Sequence, residues 1–237
     1  MTRIRFSFAR LAELKYLSHL DMMRLFHRAF RRSGLPLAYS RGFNPHPRFN
    51  LAAPLPVEVT AAGEQGEVYF DGPVDAQEFL SMLRPQLPAG LELTGAVKVN
   101  PEEPSLPSLV AAALYRAVPE NFSAETIKPE AMVAAVEALL AKKEIMVSRS
   151  GKKGKKKYVD VRPNIIKINV EVIKDTLPWL DLLLKTGSRG GVAPGSVLSL
   201  LEQELGSAWP QTAYWQIHRE ELFIEDGESL QSLPKGI

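Results

Sequence analysis

The chain contains no cysteine. That excludes disulfides, thiolate zinc sites, a cysteine nucleophile and an iron–sulfur cluster ligated by this chain's own thiolates. Histidine is nearly as scarce. His19, His27, His46 and His218 are the full set, and no two have a recognisable metal-site spacing. Neither a metal nor another cofactor is expected. No apolar run approaches the ~20 residues that span a bilayer, so no membrane contact is expected. The first residues, Met1-Thr2-Arg3-Ile4-Arg5-Phe6, lack an apolar secretory core. A cytoplasmic location is therefore the expectation. Large net charge is missing too: the value is +2 over 237 residues, with 45% hydrophobic and 24% charged side chains. This is the composition of a globular protein with one large or two small domains.

The small net charge conceals a strong segregation. Residues 1–50 hold ten Lys/Arg against Glu13 and Asp21, and residues 142–167 hold ten against Glu144 and Asp160. Each segment is therefore +8, and the remainder carries −14 to reach +2. Such a distribution suggests a positive working surface on an acidic body. Two solvated basic segments that never meet are the blander alternative.

Residues 3–9 alternate Ile4, Phe6 and Phe8 with Arg3, Arg5 and Ser7, a half-buried strand. Ser18 with Asp21 starts a helix as a capping-box-like pair, and Gly34 with Pro36 ends it after Ser33. Residues 35–39 and 48–53 are extended, 67–71 form a strand, Asp75 caps a helix to about Arg84, and 91–99 form a last strand. The order is β-α-β-β-α-β, the ferredoxin-like plan. Residues 113–118, 129–143, 144–148, 158–172, 180–185, 194–205 and 214–224 repeat it with an extra strand. The predicted fold is α+β: two ferredoxin-like domains in tandem, 1–100 and 109–237, each an antiparallel sheet with helices on one face. The Pro-rich residues 100–108 join them.

Three stretches carry candidate chemistry. On the first helix Met22, Met23, Leu25, Phe26, Ala29 and Phe30 fill one arc, and Arg24, His27, Arg28, Arg31 and Arg32 fill the other. No acidic i,i+4 neighbour offsets these arginines, so a phosphate-bearing ligand is favoured over plain solvation. The loop Tyr39-Ser40-Arg41-Gly42-Phe43-Asn44-Pro45-His46-Pro47-Arg48 follows. Arg41 and Arg48 suit phosphates, Tyr39 and Phe43 suit stacking on unpaired bases, Asn44 suits a base edge or a turn, and His46 suits stacking, phosphate donation or general-base work. For Phe43 taken alone, core packing is the expectation. The second basic segment, Lys152, Lys153, Lys155, Lys156 and Lys157, forms a Gly-containing hairpin or loop that either adds salt-sensitive, sequence-independent attraction to RNA or serves only as a mobile solubilising loop. Arg162 adds a cation, although an ion pair with Asp160 on one strand face is its default role. Arg189 lies in Gly187-Ser188-Arg189-Gly190-Gly191, ahead of Pro194-Gly195-Ser196. That turn is suited to an anion or is merely a flexible connection, and the Gly-Lys-Ser/Thr ending of a P-loop is missing.

The strings Leu17-Ser18-His19-Leu20-Asp21, Arg28-Ala29-Phe30-Arg31-Arg32-Ser33-Gly34-Leu35-Pro36 and Tyr39-Ser40-Arg41-Gly42-Phe43-Asn44-Pro45-His46-Pro47 resemble a bacterial domain family of unknown function described as radical SAM-linked or radical SAM-associated. Ala52-Ala53-Pro54-Leu55-Pro56-Val57, Asp160-Val161-Arg162-Pro163 and residues 187–194 continue the likeness over most of the chain. The resemblance implies a radical SAM protein as partner and an RNA setting, with no established activity. Residues 64–71 depart from the simpler Gly-Glu-Tyr-hydrophobic-Asp run of that family, so an altered turn before that strand is expected. More distantly, the architecture is similar to CRISPR RNA-processing endonucleases.

Three functions fit these readings. The first is a non-catalytic RNA-binding module that presents RNA to a radical SAM enzyme. The second is a metal-independent ribonuclease with His46 as base, assisted by His19 or Tyr39. The third is an adaptor that docks the radical SAM partner without touching RNA, with Trp179, Trp209 and Trp215 available for an interface.

Overall fold

Alternating large apolar and polar side chains form strand β1 (Thr2–Arg10). The computed structural model describes residues 1–121, 128–150, 156–172, 178–187, 190–227 and 229–233, with backbone only at 149, 150 and 226. The described chain is mixed α+β, with mostly antiparallel sheet. It divides into two compact units, 1–111 with 219–237, and 112–218. A division at residues 100–108 thus lies slightly early, and residues from Arg219 onward group with the first unit.

The first unit runs β1, α1 (His19–Ser33), β2 (Phe49–Leu51), β3 (Val59–Phe70), α2 (Ala76–Leu83) and β4 (Leu91–Val99), followed by the short α3 (Leu106–Leu109). β3 lies antiparallel between β1 and β2, and β4 pairs antiparallel with the other edge of β1. Both helices start as their sequences require. Ser18 Oγ accepts from the Asp21 N–H at 3.2 Å and donates to Asp21 Oδ2 at 2.6 Å. Asp75 Oδ1 accepts from the Gln77 and Glu78 N–H groups, both at 2.8 Å. Gly34 ends α1 at φ 73°, a left-handed conformation that costs glycine little.

One apolar core fills the space between helices and sheet. Phe26 of α1 packs 5.0 Å from Phe8 and 5.3 Å from Phe49, and Phe6 lies 5.4 Å from Phe79 of α2 (ring centroids). The opposite face of β1 is buried as well, which corrects the half-buried reading. Arg3 forms an ion pair with Glu67 and donates to the Glu103 and Pro104 carbonyls at 2.7 and 2.8 Å. Leu106 N–H in turn donates to Glu67 Oε2 at 3.0 Å. The Pro-rich residues 100–106 are thus a cover docked on the sheet by a buried ion pair.

β3 also departs from expectation. No turn interrupts residues 64–67; the strand is continuous from Val59, and Gly66 sits opposite Phe6. A Cβ at Gly66 would lie 2.6 Å from Phe6 Cζ and 3.2 Å from the Asn50 carbonyl oxygen. Gly66→Ala is therefore expected to cost about 1–3 kcal/mol by overpacking. Urea denaturation measures it, and an unchanged midpoint would show that the Phe6 ring moves freely.

The second unit contains β5 (Val110–Glu120, from Ala112), α4 (Pro129–Ala141), β6 (Met146–Ser150), β7 (Lys156–Asp160), β8 (Ile165–Glu171), β9 (Trp179–Lys185) and α5 (Pro194–Leu205). β5, β9 and β8 pair antiparallel in that order, and β6 and β7 form a separate two-stranded antiparallel sheet. The predicted strand 158–172 is split by a 3-10 turn at Arg162–Asn164. From Arg219 onward β10 (Tyr214–Asp226) belongs to the first unit, beside β3, where it pairs with β11 (Ser229–Ser232).

Candidate functional site

The loop between α1 and β2 is closed by a serine that sequence reasoning passed over. Ser40 N–H donates to the His46 carbonyl at 2.9 Å, and His46 N–H donates to Ser40 Oγ at 3.1 Å. His46 Nδ1 lies 3.1 Å from Ser40 Oγ and 3.3 Å from the Asn44 carbonyl. A bridge between Tyr39 and Pro47 shuts the base of the loop. The available signal was a serine at the mouth of a Gly/Pro-bracketed loop, a residue type that bonds nearby backbone.

Within this clamp Arg41, Gly42, Phe43, Asn44, Pro45 and His46 are exposed. Gly42 adopts φ 141°, which favours glycine. Phe43 stands fully in solvent (107% exposed), which overturns the core-packing expectation. Phe49 takes the core position instead. The Asn44 carbonyl, rather than its side chain, shares in the clamp.

The basic arc of α1 resolves into two stripes. Arg24, His27 and Arg31, spaced i, i+3, i+7, form the stripe on the loop side. The His27 ring lies 6.3 Å from that of His46 and 5.9 Å from that of Phe49. Leu25, Arg28 and Arg32 form the other stripe and line a separate groove with Leu14, Gln86, Leu87 and Pro88. Two arginines have partners that the sequence argument overlooked. Arg24 pairs with Asp21 Oδ1 at 3.3 Å, an i,i+3 contact. Arg32 donates to the Gln86 carbonyl at 2.6 Å. Among the described residues Arg28, Arg31 and Arg41 have no carboxylate partner.

The remaining candidates do not all meet at the loop. Phe49 faces the core, so Arg48 points to the opposite face of the sheet, where its guanidinium lies 4.3 Å over the Tyr69 ring. Tyr39 is part-exposed beside the loop. Lys156 and Lys157 are exposed on β7 in the second unit. Lys152, Lys153, Lys155 and Arg189 lie outside the described residues. Arg162 is structural: its guanidinium donates to the Leu140 and Ile165 carbonyls, both at 3.2 Å. Asp160 Oδ1 accepts from the Ile145 and Arg162 N–H groups, so the two side chains are not a pair on one strand face. In the glycine-rich turn, a Cβ at Gly191 would lie 2.3 Å from the Lys185 carbonyl oxygen, a close backbone approach that by itself requires glycine.

Two imidazoles resist protonation. The His27 pKa is lowered by burial first, then by His46 and Arg31. That of His19 is lowered by burial first, then by Arg219. His19 lies among Phe8, Arg10, Met22, Leu51 and Glu64, in a cavity with room for about one water, so it is no partner for His46. With folded values below the unfolded one, the unfolded chain binds protons that the folded chain rejects. Stability is complete above about pH 6.5 and falls as pH drops below it. The urea midpoint is expected to be lower at about pH 5.5 than at about pH 7.5, with a smaller difference in His27→Gln. A midpoint that rises on acidification contradicts this.

Fold and site together define an α+β protein with mostly antiparallel sheet, displaying a clamped loop on which Arg41, Phe43 and His46 are exposed. A family model described as an uncharacterized protein conserved in bacteria (DUF2344) matches residues 3–194. The chain belongs to that family. No curated protein matches it. Among the described residues no helix is long and apolar enough to cross a membrane, and no three His, Asp or Glu side chains are grouped to hold a metal.

Proposed function

We propose that this chain is an RNA-binding accessory module that presents single-stranded RNA, of transfer or ribosomal type, to a radical SAM enzyme. The observation that carries the reading is Phe43, fully exposed between Arg41 and His46 on a loop held by Ser40. An aromatic ring displayed in water beside unpaired guanidiniums is suited to stack on an unpaired base while Arg31 and Arg41 take phosphates. His27 and His46 line the approach. Arg28 and Arg32 leave this set because they face the other groove. The radical SAM partner rests on the resemblance described above, and the absence of cysteine requires a thiolate-held cluster to belong to that partner. Two related ferredoxin-like halves are the finer form of this fold reading.

Fluorescence anisotropy with labelled single-stranded and duplex RNA over a salt series tests the proposal. Tighter binding of the single strand is expected, with log affinity falling by about 0.7 per contacted phosphate for each decade of salt. Binding no tighter than that of an unrelated protein of equal charge ends the reading. The approach of His27 to His46 favours a second reading, an RNA-cleaving site. However, His27 Nε2 is enclosed and has no protein partner. Cleavage in EDTA that disappears in His46→Ala would establish this second reading.

A further inference from the structure

The outer stripe of α1 borders a groove with a different chemistry from the loop. Leu14, Leu25 and Leu87 are partly buried against the core and form a firm apolar floor. Pro88 continues the wall, and Arg28, Arg32 and Gln86 supply the polar rim. The groove is open to solvent, with a volume of about 540 Å³. Arg32 is positioned in advance, with Nε 3.3 Å from Gln86 Oε1 and Nη2 2.6 Å from the Gln86 carbonyl oxygen. Its Nη1 has no such bond. Arg28 has no partner at all among the described residues. Among the described residues no carboxylate lines the groove, and Glu13, the chain neighbour of Leu14, packs beside Gly90.

We propose that this groove docks a segment of a partner protein in which leucine-like side chains lie beside one or two carboxylates. Two guanidiniums facing an acid-free groove select an anionic occupant. The walls select the rest of it. They contain no aromatic ring on which a nucleobase could stack, while three leucines and a proline accept aliphatic side chains. The site does not rest on the RNA reading, since it shares no side chain with the loop.

The test pans a random peptide library displayed on phage against the full chain, then maps one enriched peptide by its effect on leucine methyl resonances. Enrichment of Asp or Glu next to Leu, Ile or Val is expected, with shifts at Leu14, Leu25 and Leu87. Affinity should fall at least tenfold in the Arg28→Gln, Arg32→Gln double variant, which still binds RNA. No enrichment, enriched peptides without acidic residues, peptides that shift only other methyls, or single-stranded RNA shifting these same methyls would each overturn the proposal. Weak RNA binding in Phe43→Ala with peptide binding intact separates the two surfaces.

Discussion

Phe43→Ala is expected to weaken binding of single-stranded RNA by roughly 5- to 150-fold, the loss of one base stack worth about 1–3 kcal/mol. The ring is fully exposed, so the folded chain loses no packing and the urea midpoint stays unchanged. Phe43→Tyr retains a π-face and should retain most of the affinity. Arg41→Ala should act differently. It removes a phosphate contact, lowering the slope of log affinity against log salt by about 0.7. Equal RNA affinity for Phe43→Ala and the parent chain would assign the exposed ring to some other partner.

The second large effect concerns stability. Glu64 is buried and accepts from Arg219 Nε at 2.6 Å, with a further bond from Arg219 Nη2. It also opposes the desolvation that lowers the Arg10 pKa to about 10, an effect that Arg219 reinforces. One carboxylate therefore offsets two buried guanidiniums. Glu64→Gln removes the carboxylate that both guanidiniums share, and breaking a buried pair in this way costs about 3–5 kcal/mol. A loss below about 1 kcal/mol would mean that backbone carbonyls suffice for them. Those carbonyls belong to Ala53 and Pro54 for Arg219, and to Leu17, Pro56 and Val59 for Arg10.

Local signals were legible where chemistry is local. The Ser18 and Asp75 caps, the Gly34 stop and the proline starts of α4 and α5 lie where periodicity and capping place them. Long-range charge was not legible. Three of the cations counted toward a positive surface are consumed inside the first unit. Arg3 is bound to Glu67, Arg5 lies 3.1 Å from Glu103, and Arg10 is buried among carbonyls. Apart from the Leu17 carbonyl bound by Arg10, their partners lie tens of residues away, beyond any spacing rule. A helical wheel joined five basic residues of α1 into one face. Only tertiary contacts divide them, with His46 and Phe49 meeting His27, and Leu87 and Pro88 meeting the stripe of Arg28 and Arg32. Phe43 was misjudged for a related reason: aromatic identity says nothing of whether a clamped loop points inward or outward.

Ultraviolet crosslinking of bound RNA, followed by tryptic mass mapping, locates the RNA contact on this chain. The nucleotide adduct is expected on the peptide between Arg41 and Arg48, which contains Phe43 and His46. Adducts confined to other peptides, or no adduct under conditions that label a known single-strand binder, would contradict that expectation.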